Sequence, residues 1–332
     1  MNRRRWLQAV GVAGAAGMAG CTGGDSTDTA TDSPTETENN AMGEDTATPT
    51  GEVEIPEVGG TYNTVTSSPV STLNPLYNTE YGAGVLIGYA LDSGYTFGPG
   101  NELIPQLYDL TTEDGGKTWT AKVRENLQFG KDYGQVTAED FVYLVQEVHK
   151  SDWAATANAD SWDETTQIEQ TGEFEFQITL DSANLLYPAT YDPLIFPIPK
   201  DLLQPYVEEQ DQQGLEEDEE LLNLEFTGNL GAYNLEEWNR SSGHTYSRNE
   251  DYYLQEATDI SQLFENAPYF ETLENRVVQE QASRLGALET GETDSASVPP
   301  ERVEEFQNME GVEVYLIPQP YNEVCVYNMR EN

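Results

Sequence analysis

The chain is short of positive charge. It has 15 lysines and arginines against 60 aspartates and glutamates in 332 residues, a formal net charge of −45. Nucleic-acid binding depends on clustered cations that neutralise phosphates, so the composition argues against DNA or RNA as a partner. Acids spread along the whole length are typical of a protein kept soluble at molar salt, where the Debye length is about 3 Å. We therefore predict a halophilic, archaeal protein; an acidic metal-sequestering protein is the alternative, although the sequence has no D-x-D-x-D-G loop.

Cysteine and histidine are also scarce, with two of each. Cys325 lies in a strand-like apolar run, where a lone cysteine usually behaves as a small buried hydrophobe. His149 and His244 are far apart and lack the spacing of zinc ligands. The sequence also has no G-x-S-x-G motif, phosphate loop or evident nucleophile–base pair. We therefore expect no metal, no cofactor and no enzymatic activity, and no internal disulfide if Cys21 is acylated.

Long hydrophobic runs are missing as well, except for a short one at the N-terminus. Trp6–Ala19 is apolar apart from Gln8 and follows three arginines, but it is shorter than the roughly 20 residues that a membrane span needs. Residues 1–20 are therefore predicted to be a secretory signal peptide rather than a buried helix. The arginines followed by Trp-Leu resemble a twin-arginine signal, and Gly20-Cys21 resembles a lipobox. Cys21 is then the predicted lipidation site, with the protein at the cell surface, lipid-anchored to the outer face of the cytoplasmic membrane.

The next segment has the composition of a tether. Residues 22–50 contain nine threonines and seven acids but no lysine, arginine or aromatic residue. Such a segment buries too little apolar surface to offset the entropy of ordering. We predict a disordered tether over residues 21–58, and a flexible chain of about 35 residues spans roughly 30 Å.

Residues 59–275 have globular character and are predicted to form a first lobe. The Asp114-Gly115-Gly116 turn is a hairpin signal, and the apolar spacing after Thr137 predicts a helix with Thr137 as its N-cap. The other predicted elements are strands at Thr61–Thr66, Lys117–Val123 and residues 173–180, a turn at Leu73–Leu76, a short helix over residues 84–91, and an acidic helix or helix pair over residues 205–222.

Residues 276–332 show a different pattern of predicted strands and helices and are predicted to begin a second lobe. Strand-like segments at Arg276–Val278, Ser295–Val298 and Val312–Ile317 alternate with helix-like segments at Gln281–Glu289 and Pro299–Gln307. An alternation of this kind argues for a parallel sheet.

Four stretches, in order, resemble the extracellular solute-binding proteins of family 5, the oligopeptide-, dipeptide- and nickel-binding type of ABC transporters. They are GNELIPQLYDLTTEDGGKTWTAKVRENLQFGKDYGQVTAEDFVYLVQEV at residues 100–148, TLNP at 72–75, TGNLGAYNLEEW with SRNEDYY at 227–253, and ALETGETDSASV at 287–298. In the first stretch the matching positions are Pro105, Leu107, Trp119, Arg124, Phe129, Val136, Thr137, Ala138 and Asp140. Asn74 and Ala232 depart from the family's usual Asp and Pro. Members of the family continue well beyond this length, so a C-terminally truncated second lobe is expected.

The resemblance implies a mixed α/β, periplasmic-binding-protein-like fold of two lobes with the second incomplete. It implies a substrate-binding lipoprotein that captures a peptide or a similar small solute and delivers it to ABC permease subunits in the membrane. Without the rest of the second lobe, weak binding is expected. The ligand-contacting candidates are Ser67, Ser68 and Val70 in the loop after the first strand, Tyr233 in the Gly-Ala-Tyr stretch, and Tyr95 and Tyr191 in other loops.

Two other functions remain open from the residues alone. The Thr-rich tether is compatible with a cell-surface structural or adhesion module, although no tandem repeat supports it. A secreted hydrolase that uses two carboxylates is the second, but with 60 acids almost any pair can be proposed.

Overall fold

The computed structural model describes residues 55–98, 102–162, 166–190, 196–255, 257, 260 and 264–315. The predicted signal peptide, most of the tether, Cys21, Tyr191 and Cys325 lie outside these residues. The strands are β1 (Thr61–Thr66), β2 (Tyr95–Phe97), β3 (Leu103–Pro105), β4 (Tyr108–Thr111), β5 (Thr118–Val123), β6 (Gln167–Gly172), β7 (Glu175–Thr179), β8 (Tyr233–Asn239), β9 (Gly243–Arg248) and β10 (Thr272–Val277). The helices are α1 (Tyr81–Ala90), α2 (Ala138–Tyr143, continued as a π-helix over Leu144–His149), α3 (Tyr187–Thr190), α4 (Lys200–Glu209), α5 (Gln212–Glu217), α6 (Glu219–Leu222), α7 (Gln281–Thr290) and α8 (Val303–Gln307).

The first sheet has the strand order β1-β10-β9-β8. β1 and β10 are parallel, whereas β10–β9 and β9–β8 are antiparallel pairs. Helix α1 lies across one face of this sheet: the Tyr89 ring meets the Tyr246 ring edge-on at 5.5 Å, and the Tyr246 hydroxyl donates to the Leu86 carbonyl at 2.9 Å. The helix therefore holds the β1–α1 loop above the same sheet.

The second sheet, β4-β5-β7-β6, is entirely antiparallel. Helix α2 packs on it through Phe141, whose ring stacks on Phe176 at 5.2 Å and meets Tyr108 edge-on at 5.4 Å. All three side chains are fully buried, and they belong to one contiguous apolar core that reaches from this sheet to Tyr246 and Leu273 of the first. The two sheets therefore form a single folded unit.

A buried polar cluster joins the end of α1 to the segment after β9. The Asp92 carboxylate accepts hydrogen bonds from the hydroxyls of Tyr252 at 2.7 Å and Tyr253 at 2.9 Å. Gln106, which follows β3, donates to the same carboxylate. Burial raises the pKa of Asp92 to about 7, although these hydrogen bonds act in the opposite direction. The cluster thus ties three segments of the fold through one carboxylate.

Most of the elements predicted from sequence are confirmed. The strand Thr61–Thr66 is β1, and the Thr137 helix begins at Ala138 with the Asp140 carboxylate accepting the Thr137 N–H at 2.9 Å. Gly115 and Gly116 have φ of 76° and 90°, the left-handed conformation that the predicted hairpin requires. The helix over residues 84–91 starts earlier, at Tyr81, and the acidic helical region comprises α4, α5 and α6 from Lys200.

The predicted turn at Leu73–Leu76 is confirmed, and its asparagine has a specific role. Asn74 is fully buried, and its Nδ2 donates to the Leu215 carbonyl at 2.9 Å and to the Glu216 carbonyl at 3.2 Å. Its Oδ1 accepts the Leu76 N–H at 3.0 Å. An ionised aspartate has no donor for the two carbonyls, so this structure accounts for asparagine at the position.

Two strand predictions in the last segment are wrong. Ser295–Val298 forms only a single parallel bridge, between Ser295 and Thr64. The described part of Val312–Ile317 is not a strand either. The first strand of the segment is present as β10, which pairs in parallel with β1, and the helices α7 and α8 are present as predicted. The division into lobes at residues 275 and 276 remains a prediction, and β10 runs across it.

Candidate functional site

The candidate site is the edge of the first sheet at which β1 and β10 end. The Val278 N–H donates to the Thr66 carbonyl at 2.8 Å, so the two parallel strands finish side by side. The β8–β9 hairpin turn lies at the same edge, because the Val277 N–H donates to the Ser242 carbonyl at 2.8 Å. Ligands of open α/β sheets bind outside the carboxyl ends of the strands. We call this the C-terminal edge and define it by Ser67, Ser68, Ser71, Tyr81 and Arg240.

The β1–α1 loop and the hairpin are joined at Ser71. The Arg240 guanidinium donates to the Ser71 carbonyl at 3.3 Å. The Glu80 carboxylate accepts the Ser71 N–H at 3.2 Å and also the Ser71 hydroxyl. Tyr81 follows Glu80 as the first residue of α1, and its side chain is 65% exposed. A cation and a carboxylate therefore both contact one serine, and an exposed tyrosine follows the carboxylate in the chain.

Arg240 supplies positive charge to the C-terminal edge. It is exposed on the hairpin, its guanidinium lies 4.2 Å from the centre of the Trp238 ring, and it forms no ion pair with the described residues. A guanidinium presents a planar set of donors that suits a carboxylate. In a chain with 15 cations, an arginine without an acidic partner at this edge is a candidate for binding an anionic group.

His244 lies behind the edge and does not contribute charge. It is 5% exposed on β9, in line with the Trp238 ring at 6.2 Å on one side and the Tyr246 ring at 6.4 Å on the other. Burial lowers the pKa of His244, and the neighbouring Asn275 side chain only partly opposes this. The imidazole is therefore neutral near pH 7, and the positive charge of the edge comes from Arg240.

Of the residues predicted to contact ligand, Ser67 and Ser68 lie on the C-terminal edge. They follow β1 directly, and both are exposed. Their hydroxyls can donate to or accept from a polar ligand. Their contact with a solute remains a prediction.

The other described candidates are packing residues in this structure. Val70 is 8% exposed and belongs to the core. Tyr233 is equally buried, with its ring edge-on to Tyr89 at 6.3 Å. Tyr95 is 7% exposed, and its hydroxyl donates to Asp109 at 2.9 Å and accepts the Leu110 N–H at 2.6 Å. Tyr191 lies outside the described residues.

Sequence reasoning did not single out Tyr81 or Arg240. The available signal for Arg240 was a lone cation between two strand-like runs in a strongly acidic chain. The sequence signal for Tyr81 was weaker, because the helix that it begins was predicted to start three residues later. Arg240 reaches Ser71 only through the loop and hairpin geometry that the fold imposes.

A separate cavity of about 310 Å³ lies beside the start of β8. It is lined by Gly130, Asn223, Leu224, Glu225, Thr227, Gly228, Asn234 and Leu235. At about 3.4 Å per residue, Asn234 is roughly 17 Å along the strand from Asn239, so this cavity is distinct from the C-terminal edge.

The comparisons with known proteins decide the family. The family model described as bacterial extracellular solute-binding proteins, family 5, middle region, matches residues 102–332, more than half of the chain. The chain belongs to this family. The resemblance to this family is thereby confirmed, and three of the four stretches overlap the matched residues, whereas TLNP at 72–75 lies before them. The search of curated proteins returned no match.

Solved structures similar to this family 5 protein show the same mixed α/β fold. The oligopeptide-binding protein AppA from Bacillus subtilis, in complex with a nonapeptide, superposes with a TM-score of 0.61 at 18% identity, over 77% of this chain and 47% of AppA. DppA from Helicobacter pylori, in complex with the peptide STSA, superposes with a TM-score of 0.59 at 19% identity, over 76% of this chain and 50% of DppA. NikZ from Campylobacter jejuni, in complex with Ni(L-His), superposes with a TM-score of 0.57 at 16% identity, over 75% of this chain and 45% of NikZ.

The family 5 chain spans about half the length of these solved structures. The periplasmic-binding-protein-like fold predicted from sequence is confirmed. Across the residues that the structure describes, every helix is too short or too polar to cross a lipid bilayer.

Proposed function

We propose that this family 5 protein is the substrate-binding component of an ABC importer, which captures a peptide or a similar small solute and delivers it to permease subunits in the membrane. The observation that carries the proposal is the family match over residues 102–332. The C-terminal edge supports it, since it combines exposed hydroxyls, an exposed tyrosine and one guanidinium that forms no ion pair with the described residues, at the place where open α/β sheets bind ligands.

The proposed solute carries a carboxylate. Arg240 is suited to a carboxylate through charge-assisted hydrogen bonds, and Ser67 and Ser68 add hydroxyl donors. The exposed Tyr81 ring adds apolar contact area. The similar proteins AppA, DppA and NikZ are in complex with a nonapeptide, the peptide STSA and a nickel–histidine complex, respectively. Each contains a carboxylate, so these three compounds are the first probes for this chain.

Trp238 provides a direct readout of solute at the edge, because its ring lies 4.2 Å below the Arg240 guanidinium. We expect titration with the nonapeptide, STSA or nickel–histidine to change the Trp238 fluorescence saturably at about 0.1–1 mM solute. Weak binding is expected because an open edge covers one side of a solute, whereas tight pockets bury roughly 70–90% of it. Arg240→Gln should weaken the response about tenfold, which corresponds to about 1.4 kcal/mol.

Arg276→Gln is the matched control, since Arg276 is an exposed arginine on β10. Asn275 shares the face that carries His244, so Arg276 points to the opposite face by strand alternation. Its replacement should leave the response unchanged, and Trp238→Phe should abolish it. A cell-surface adhesion module would show no saturable response to any of the three solutes, and that result would overturn the proposal.

We further propose that the protein acts outside the cytoplasm as a lipoprotein. The extracellular family supports the location, and the Arg3-Arg4-Arg5-Trp6 and Gly20-Cys21 sequences support twin-arginine export and lipidation. Replacing Arg3, Arg4 and Arg5 together with lysine should leave unprocessed precursor in the cytoplasm, and Cys21→Ser should release processed chain from the membrane. Immunoblots of cytoplasmic, membrane and medium fractions check both. Normal export of the lysine variant, or membrane retention of unlipidated Cys21→Ser, would contradict them.

A further inference from the structure

The β8–β9 hairpin carries the sequence Asn239-Arg240-Ser241. This is an N-x-S motif with x other than proline, and it is the only N-x-S/T motif in the 332 residues. In a secreted protein such a motif is the acceptor for an N-linked saccharide and is found on a surface loop. The sequence alone does not show whether the asparagine is accessible, but the structure does.

Asn239 and Ser241 are both exposed, at the last residue of β8 and in the three-residue turn that follows. The Asn239 Oδ1 accepts the Ser241 hydroxyl at 3.1 Å and the Ser241 N–H at 3.3 Å. Nδ2 makes no hydrogen bond with the part of the chain that the structure describes. The amide is therefore turned so that its oxygen is held by the serine of the motif while its nitrogen remains available.

The turn is anchored to the sheet and presents the motif without unfolding. The Ser242 N–H donates to the Asn239 carbonyl at 3.1 Å, and the Ser242 carbonyl accepts the Val277 N–H at 2.8 Å. Both bonds use backbone groups, so neither occupies the side chain of Asn239. A folded chain can therefore present Asn239 to a modifying enzyme.

Asn239 directly precedes Arg240 of the C-terminal edge, but the two side chains are directed to different faces of the sheet. By strand alternation, Asn239 faces the side of the sheet opposite to Trp238, over which Arg240 folds. β8 is an outer strand of the sheet order, three strands from β1, which is roughly 14 Å at about 4.8 Å per strand. A saccharide at Asn239 is therefore compatible with a solute beside Ser67 and Ser68. It would also cover the end of β8, which is an outer strand among the residues that the structure describes. Outer strands can otherwise pair with another chain.

We propose that Asn239 is an N-glycosylation site of the exported protein. The donor class is a saccharide activated as a lipid-linked phosphate or pyrophosphate. The Asn239 Nδ2 forms a bond to the anomeric C1 of the sugar, the bond between C1 and the phosphate oxygen breaks, and the lipid phosphate leaves with the electron pair while one amide proton passes to a base. The proposal rests on export and not on solute binding.

The test uses the full chain recovered from the membrane fraction of the cells that export it. Cleavage after glutamate releases WNRSSGHTYSRNE, residues 238–250, which contains Asn239 and also Asn249, an asparagine outside any such motif. Mass spectrometry of this peptide should show a saccharide mass on Asn239 and none on Asn249. Ser241→Ala should remove the added mass, whereas Ser241→Thr should retain it, because only the second variant keeps the motif.

Ser241 is exposed, so both variants should fold, and identical circular dichroism spectra of the two check this. The proposal is overturned if peptide 238–250 from exported chain carries Asn239 without modification. It is equally overturned if the saccharide persists in Ser241→Ala or maps to the hydroxyl of Ser242, Thr245 or Ser247, since those results indicate attachment to oxygen.

Discussion

Replacing Asp92 with alanine is expected to lower the free energy of unfolding by roughly 3–5 kcal/mol. The carboxylate accepts the buried hydroxyls of Tyr252 and Tyr253, and alanine leaves both without their acceptor. A buried polar group that loses its partner costs about 1–3 kcal/mol. Because domains are stable by only about 5–15 kcal/mol, this single change should remove a large part of the total. Denaturant unfolding at pH 5 measures it.

The same carboxyl makes stability depend on pH, and Asp92→Asn isolates that dependence. The folded pKa is raised to about 7 from an ordinary value of 3.8. Between these pH values the unfolded chain releases the proton and the folded chain keeps it, so stability falls as pH rises. Three pKa units correspond to about 4 kcal/mol, lost from about pH 4 to pH 7 and constant above. Relative to the wild type, Asp92→Asn should therefore become more stable by up to about 4 kcal/mol as pH rises through this window.

Asn at this position retains one acceptor oxygen for the tyrosine hydroxyls, which makes it the matched control for alanine. Unfolding curves of the wild type and the Asn variant at pH 4, 5.5, 7 and 8 give the difference directly, since the other acids are common to both chains. If the difference in the free energy of unfolding between the two chains stayed constant from pH 4 to pH 8, Asp92 would ionise with an ordinary pKa in the folded protein. That result would contradict the raised pKa of the buried Asp92 cluster.

Loss of the folded state at low salt is the second large expected effect, and it rests on the proposed halophilic origin. At about 0.1 M salt the Debye length is near 10 Å, so charges on neighbouring surface positions repel one another, whereas at 1 M it is about 3 Å. A net charge of −45 then destabilises the compact state through self-repulsion. Circular dichroism should show native helix and strand content at molar salt and its cooperative loss on dilution towards 0.1 M.

A charge-reduced variant tests the cause. Glu216, Glu217 and Glu219 are exposed on α5 and α6, and the caps of these helices come from Asp211 and Asp218 instead. Replacing the three glutamates with glutamine should keep the caps and move the salt midpoint to lower concentration. Full ellipticity of the wild type at 0.1 M, or an unchanged midpoint in the variant, would contradict a salt requirement set by charge repulsion.

The elements that sequence predicted well are those whose local chemistry leaves few choices. The Thr137 cap with Asp140 fixes where α2 starts, and the two glycines after Asp114 accept the positive φ of the hairpin. The strand Thr61–Thr66 had only weak alternation, yet its bounds were predicted correctly because turn-forming residues follow it directly. Local signals of this kind, together with the four family-like stretches, were enough for the fold class.

What sequence could not supply is which segments meet. Ser295–Val298 has strand-like composition, but only its first residue, Ser295, forms a bridge to β1. The Asp294 carboxylate, just before it, accepts the Asn63 N–H of β1 at 2.9 Å. Val70, Tyr95 and Tyr233 are apolar or aromatic residues in loop-like or glycine-rich surroundings, and their burial depends on long-range packing against α1 and the second sheet. The C-terminal edge brings Ser71 to Arg240 across 169 residues of sequence, a contact that no local pattern encodes.

Backbone hydrogen–deuterium exchange, with and without the solute that gives the largest Trp238 response, tests most directly the central claim that the C-terminal edge binds solute. We expect slower exchange in the segment after β1 and in the hairpin turn, at residues 67–72 and 240–243, and the same slowing should be reduced in Arg240→Gln. Slower exchange confined to residues 223–228 and Asn234 would place the solute in the separate cavity and contradict the claim.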